Sequence, residues 1–196
     1  MPHSRASLVR AALLTATSTL LSAHAGTLYW DTNGDTAGSG NAGGAWDSGT
    51  NWSANPAGGS VVGWTNGESV VFSAGTDGTG ARTVTIAGTV LTPSIVLEEV
   101  GLVQLQGGSI DITGGSIFNT SALGNATNRS LTWSSAIVGT GGLTLAVNGD
   151  TSAGGGGSNS IFALTGTNTF TGNVTITSGI VNANSNFGDA ANKIIL

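Results

Sequence analysis

Short runs of Val, Ile, Leu and Thr, separated by Gly- and Asn-rich turns, recur from residue 69 to the end of the chain. In the run Val174-Thr175-Ile176-Thr177 apolar and hydroxyl side chains alternate. Strand side chains project with period two, so Val174 and Ile176 share one face while Thr175 and Thr177 share the other. A strand of this kind buries one face and solvates the other. The pattern predicts strands at 69–73, 82–86, 94–97, 101–106, 109–112, 115–118, 130–133, 135–138, 143–147, 161–164, 173–177, 179–182 and 193–196. Nowhere after residue 25 do apolar residues keep helical spacing for two turns. The fold class is all-β.

The runs resemble one another. G-G-S-I-D-I-T at 107–113 is followed at once by G-G-S-I-F-N-T at 114–120, and V-T-I at 84–86 returns at 174–176, with L-T-L at 143–145 as a variant. Similar strands at irregular spacing suggest a parallel β-solenoid, whose turns vary in length while the strands keep register. In such a stack, inward apolar residues form columns, and Asn or Thr form ladders at the corners. A barrel or sandwich of antiparallel hairpins is the alternative. It draws on the turn pairs Asn66-Gly67 and Asp77-Gly78.

Composition sharpens the picture at the N-terminus. Arg5 and Arg10, the apolar run 11–22 and Ala23-His24-Ala25 form the pattern of a secretory signal peptide over 1–25. Its removal leaves Arg82, Arg129 and Lys193 as the only basic residues against all ten acids, and takes away both histidines. So few bases exclude nucleic acid as a partner, and the mature chain contains no run that spans a membrane. With no cysteine, an exported domain relies on burial and hydrogen bonding rather than disulfides. Residues 26–68 are rich in Trp, Gly and Asn, with Trp30, Trp46, Trp52 and Trp64 among them. They read as a capping region before the rungs of 69–196, which include a repeat core at 164–183.

The pattern W-D…W-D…N-W-S…W-T-N-G-E-S-V-V-F-S from Trp30 to Ser73, G-T-G-G-L-T-L at 139–145, and L-T-G-T-N-T-F-T-G-N-V-T-I-T-S-G-I-V at 164–181 together resemble bacterial proteins carrying the autotransporter-associated β-strand repeat, also called the passenger-associated transport repeat. The resemblance implies a secreted or surface-displayed right-handed parallel β-helix, extracellular or held at the outer membrane through a C-terminal part. This sequence contains one clear copy of the repeat core and ends on the apolar run Ile194-Ile195-Leu196. The expectation is therefore an incomplete C-terminal end, with covalent continuation into further repeats or an anchor.

Chemistry is scarce. Without His or Cys in the mature chain, serine–histidine triads, cysteine nucleophiles and His-ligated zinc are excluded. Glu98 and Glu99 are adjacent, so a strand directs them to opposite faces. Asp31-Thr32-Asn33-Gly34-Asp35 has half the spacing of a calcium loop, but Thr36 and Ala42 stand where Gly and Glu belong. Asp111 and Arg129 are an acid–base pair that adjacent rungs can bring together in the manner of a glycan-degrading enzyme. No catalytic residue, cofactor or metal is assigned. The expected function is a non-catalytic passenger or stalk module. The alternative is an adhesin that binds surface glycans or other host ligands, with Trp46, Trp52 and Trp64 as the candidate sugar contacts.

Overall fold

A computed structural model describes residues 26–98, 101–120, 129–146, 161–178 and 180–196. The signal peptide expected over 1–25 lies outside the described residues. Those residues form sixteen strands and no helix. Four short strands come first: β1 (Thr27–Trp30), β2 (Gly44–Ala45), β3 (Trp52–Ser53) and β4 (Val61–Val62). They are followed by β5 (Ser69–Phe72), β6 (Arg82–Leu91), β7 (Ser94–Leu97), β8 (Gly101–Asp111), β9 (Ser116–Thr120) and β10 (Arg129–Trp133). The chain continues through β11 (Ala136–Val138), β12 (Leu143–Ala146), β13 (Ile161–Leu164), β14 (Val174–Ser178), β15 (Ile180–Ala183) and β16 (Ile194–Ile195).

From β5 onward the chain alternates between two sheets, save that β10 and β11 follow one another in the second. One sheet has nine strands in the order β16-β14-β12-β9-β7-β5-β1-β3-β4, the other the order β15-β13-β10-β8-β6-β2, with β11 beside β8. Every pair from β5 to β16 is parallel. The antiparallel strand pairs, β1 with β3 and β3 with β4, are confined to the N-terminal end. That is not the arrangement of a hairpin barrel or sandwich. Asp77-Gly78 joins β5 to β6, which lie in different sheets, and Asn66-Gly67 joins β4 to β5, which are not neighbours. Neither dipeptide makes a hairpin turn.

Register follows from the period-two pattern. In the nine-stranded sheet Leu28, Val70, Ile95, Phe118, Leu145 and Ile176 stand in one column, each opposite the next. In the second sheet Val103, Leu131, Phe162 and Val181 form one column, and Val84, Leu105, Trp133 and Leu164 another. A slip by one residue would turn a whole strand inside out, so each column holds the others in place. All these columns belong to one continuous core that runs from Leu28 to Val174. Each fully buried Val, Leu, Ile or Phe contributes about 1.5–3 kcal/mol. Leu28 and Trp30 share that core with Val70 and Phe72, so apolar packing is continuous across residue 68.

Three details differ from the pattern reading. The runs at 101–106 and 109–112 are one strand, β8, bent at Gly107 and Gly108, whose φ angles are +75° and +27°. Glycine is needed there because a Cβ at 108 would overlap the Gly88 carbonyl and the Ile86 side chain. The two G-G-S-I copies are not structural equivalents. Ile110 is fully buried on β8, whereas Ile117 is half exposed on β9 and Phe118 takes the inward place. The true repeat is L-T-L at 143–145 against V-T-I at 174–176, which lie side by side in register.

The repeat core L-T-G-T-N-T-F-T-G also acquires a physical meaning. Leu164, Asn168 and Phe170 are buried. A Cβ on Gly172 would overlap the Gly141 carbonyl, and one on Gly141 would overlap the Ile112 carbonyl. The motif's glycine thus lets successive turns approach backbone to backbone before they enter the nine-stranded sheet.

Candidate functional site

The Trp-rich region, the acids and the repeat motif are the places where function was expected. Trp30, Trp46, Trp52, Trp64 and Phe72 form one aromatic cluster beside β1 and β3. Trp52 is its hub, with ring centroids 5.0 Å from Trp30, 5.1 Å from Trp46, 5.5 Å from Trp64 and 5.7 Å from Phe72. Three indole nitrogens donate locally: Trp30 to the Ala42 carbonyl at 3.2 Å, Trp52 to the Trp46 carbonyl at 2.8 Å and Trp64 to Asn66 Oδ1 at 3.0 Å. Trp46 and Trp52 are 0% exposed. Stacking on a sugar needs an open ring face, and these two have none in this fold. Trp64 is partly buried and packs edge-on against Trp46. The cluster fills the core where the nine-stranded sheet changes to antiparallel pairing, and that requirement accounts for tryptophan at these positions.

The acids and amides act as staples between distant backbone segments. Asp47 accepts from the amides of Ala87 at 2.9 Å and Gly88 at 2.7 Å, holding the bulged part of β6. Asp77 accepts from Ser39 at 2.7 Å and Gly40 at 3.1 Å. Asn41 accepts from Gly80, Asn66 from Leu91 and Asn173 from Lys193, at 2.7, 3.0 and 3.0 Å. Asp31 is buried, and its carboxylate accepts from the amides of Gly59 at 2.9 Å and Asn33 at 3.2 Å. Its oxygens therefore hold the loop that resembled half a calcium site, while Asp35 is exposed. Among the described residues no three acidic side chains gather in the manner of a metal site.

Asp111 and Arg129 are not brought together. Arg129 pairs with Gly101 at the start of β8, whereas Asp111 ends that strand and pairs with Val138. Their register positions lie at opposite ends of β8. The Asp111 carboxylate instead accepts from the Thr113 amide at 2.8 Å. Glu98 is partly exposed and Glu99 lies outside the described residues.

Asn168 is the residue that pattern reading quoted without giving it a role. Its Oδ1 accepts from the Ile137 amide at 3.0 Å, and its Nδ2 donates to the Asn186 carbonyl at 2.8 Å and to Ser185 Oγ at 3.1 Å. One buried amide thus links three successive passes of the chain. Its position in the N-T-F-T-G core, between two buried apolar residues, was the available signal.

The Ser39 amide, more than any other group, holds the Asp77 carboxyl below its ordinary range; burial opposes it, and the Gly40 amide adds a smaller lowering. A carboxylate whose folded pKa is depressed adds stability above its unfolded pKa, near pH 4, and loses it as pH falls through the lower folded value. Asp77→Asn should therefore flatten the fall in urea midpoint as pH drops below about 4. A variant with an acid slope equal to that of the parent would remove Asp77 from this role.

No family model matches the chain, and no solved structure matches it. The chain is similar to the adhesin BmaC autotransporter of Brucella suis biovar 1 (strain 1330), with 34% identity over 175 residues. The match covers 86% of this chain and 4% of that protein, so the chain spans a small part of its relative's length. The similarity relates the chain to part of an autotransporter adhesin. Among the described residues no helix is long and apolar enough to cross a membrane.

Proposed function

We propose that this chain is a passenger module of an exported, surface-displayed bacterial protein, coiled as a right-handed parallel β-helix that supports and presents other parts of the molecule. The observation that carries the reading is the alternation of strands between two parallel sheets with their apolar columns in register. Each coil offers the next a ready-made row of hydrogen-bond partners and apolar neighbours, so folding proceeds coil upon coil. The Trp cluster closes the first coil against water.

The module is non-catalytic on this reading. Its carboxylates at Asp31, Asp47 and Asp77 hold backbone amides, and the acid–base pair suggested by sequence is separated along β8. Export of an unfolded chain is favoured by the lack of cysteine, because no disulfide can lock it early. Folding outside the membrane then opposes back-sliding. Deleting Leu164–Ala183 from the protein that carries this chain should reduce surface display, measured by whole-cell antibody labelling against total protein. Unchanged display would count against an export role.

An adhesive function is the second reading, favoured by the relative's designation as an adhesin. Cells displaying the chain should then adhere to host-cell monolayers more than cells displaying an unrelated passenger.

A further inference from the structure

A groove of ≈610 Å³ crosses the outer face of the nine-stranded sheet, lined by Pro93, Ile117, Thr144, Asn173, Thr175 and Ile195 together with turn backbone. Its floor is a ladder. Ile117 stands opposite Thr144, Thr144 opposite Thr175, and Thr175 opposite Ile195. The groove therefore runs across β9, β12, β14 and β16, perpendicular to the strands. With neighbouring strands about 4.8 Å apart, Ile117 and Ile195 mark a span of roughly 14 Å. Both isoleucines are exposed, at 50% and 45%, with two threonines between them. Neither threonine hydroxyl makes a hydrogen bond among the described residues. Asn173 Oδ1 holds the Lys193 amide, and among the described residues no bond occupies its Nδ2.

We infer that this groove binds an uncharged glycan chain laid along the stack axis, an inference that rests on the adhesive reading and names its ligand class. No residue lining the groove is charged, which disfavours acidic polysaccharides, anionic lipids and charged peptides. The backbone hydrogen bonds of β9, β12 and β14 are used within the sheet, so a peptide cannot add as a strand on this face. There is no aromatic side chain in the lining to seat a proline-rich segment. A neutral sugar chain presents C–H faces and hydroxyl groups in alternation. Isoleucine and proline match the first, and threonine hydroxyls with the Asn173 amide match the second. The volume lies within the range of small-ligand sites.

The test uses the full chain on a printed array of neutral and acidic glycans, with binders then titrated by calorimetry as free oligosaccharides. Thr144→Val with Thr175→Val removes both hydroxyls, which make no bond among the described residues, and Ile117→Glu places a charge on an exposed site. Binding of at least one neutral glycan is expected, weakened tenfold or more by the double valine variant and abolished by Ile117→Glu, with thermal midpoints within 2 °C of the parent as roughly isosteric surface changes allow. Absence of any neutral ligand, tighter binding of acidic glycans, or affinity unchanged in both variants would overturn the inference. Capture of peptides or of a second copy through Ile117 instead of glycans would overturn it as well. Monolayer adhesion separates the two levels: adhesion that survives the groove variants removes the groove and keeps the adhesive reading, whereas no adhesion by the parent chain removes that reading itself.

Discussion

Trp52→Ala should cost about 3–5 kcal/mol, the usual range for truncating a fully buried aromatic. Trp52 touches four other aromatic rings and donates a buried hydrogen bond to the Trp46 carbonyl. The space left behind refills poorly, because Trp30, Trp46 and Phe72 around it are themselves fully buried, Trp30 and Phe72 in β1 and β5, with the Trp46 amide donating to the Thr85 carbonyl at 2.9 Å. At roughly 2–4 °C per kcal/mol for a domain of this size, the thermal midpoint should fall by about 10 °C. The damage should also be local. A stack in which each layer meets only its neighbours loses protection first where the contact is lost. Hydrogen exchange should accelerate in β1, β3 and β5 well before β12 and β13. A loss under 1 kcal/mol, or acceleration spread evenly over all strands, would remove the cluster from its structural role.

Asn168→Ala should cost about 3 kcal/mol. It removes three hydrogen bonds and leaves the Ile137 amide and the Asn186 carbonyl without the partners they have now. An orphaned buried donor or acceptor costs about 1–3 kcal/mol, so the loss exceeds that of an ordinary surface polar residue. Asn168→Asp tests the same point with nearly the same shape. The carboxylate retains the bond from Ile137 but cannot donate to Asn186, so it should recover part of the loss at most. Exchange should rise in β13 to β16 while the tryptophan end keeps its protection. Full stability in the alanine variant would show that the links between passes rest on apolar columns alone.

The two variants bear on how much of the architecture is written in local pattern. Period-two alternation was sufficient to place the strands from β5 to β15 because each sends side chains into or against one continuous core, whereas β16 is two exposed residues. Val174 and Ile176 stand in register with Leu143 and Leu145, as their pattern requires. Three of the four N-terminal strands, Gly44–Ala45, Trp52–Ser53 and Val61–Val62, are two residues long, and two residues carry no period; β1, Thr27–Trp30, has only four. The G-G-S-I repeat misled because identical residues entered different surroundings. After Gly107 and Gly108 the chain continues in the same strand, whereas after Gly114 and Gly115 it begins a strand of the other sheet, with the phase reversed.

The candidate site was less legible than the fold. Tryptophan suits both sugar stacking and core filling, and only burial decides between them; Trp46 and Trp52 have no exposed face. Asp77-Gly78 reads locally as a hairpin turn, yet the carboxylate of Asp77 reaches the amides of Ser39 and Gly40, far back in the sequence. Such a contact has no local signature. The same holds for the groove on the outer face. Ile117, Thr144, Thr175 and Ile195 belong to four separate runs and become one surface only when register is known.

Register between passes is the claim on which the rest depends, and the chain's lack of cysteine permits a direct measurement. Thr132 stands opposite Ala163, and Ala163 opposite Asn182, on three adjacent parallel strands. Neighbouring Cα atoms about 4.8 Å apart lie within disulfide reach, while those two strands apart, at roughly 9.6 Å, do not. Thr132→Cys with Ala163→Cys, and Ala163→Cys with Asn182→Cys, should each oxidise to an intramolecular bridge under native conditions, and Thr132→Cys with Asn182→Cys should stay reduced. Bridging of the third pair in preference to the first two, or of none, would contradict the stacked parallel arrangement.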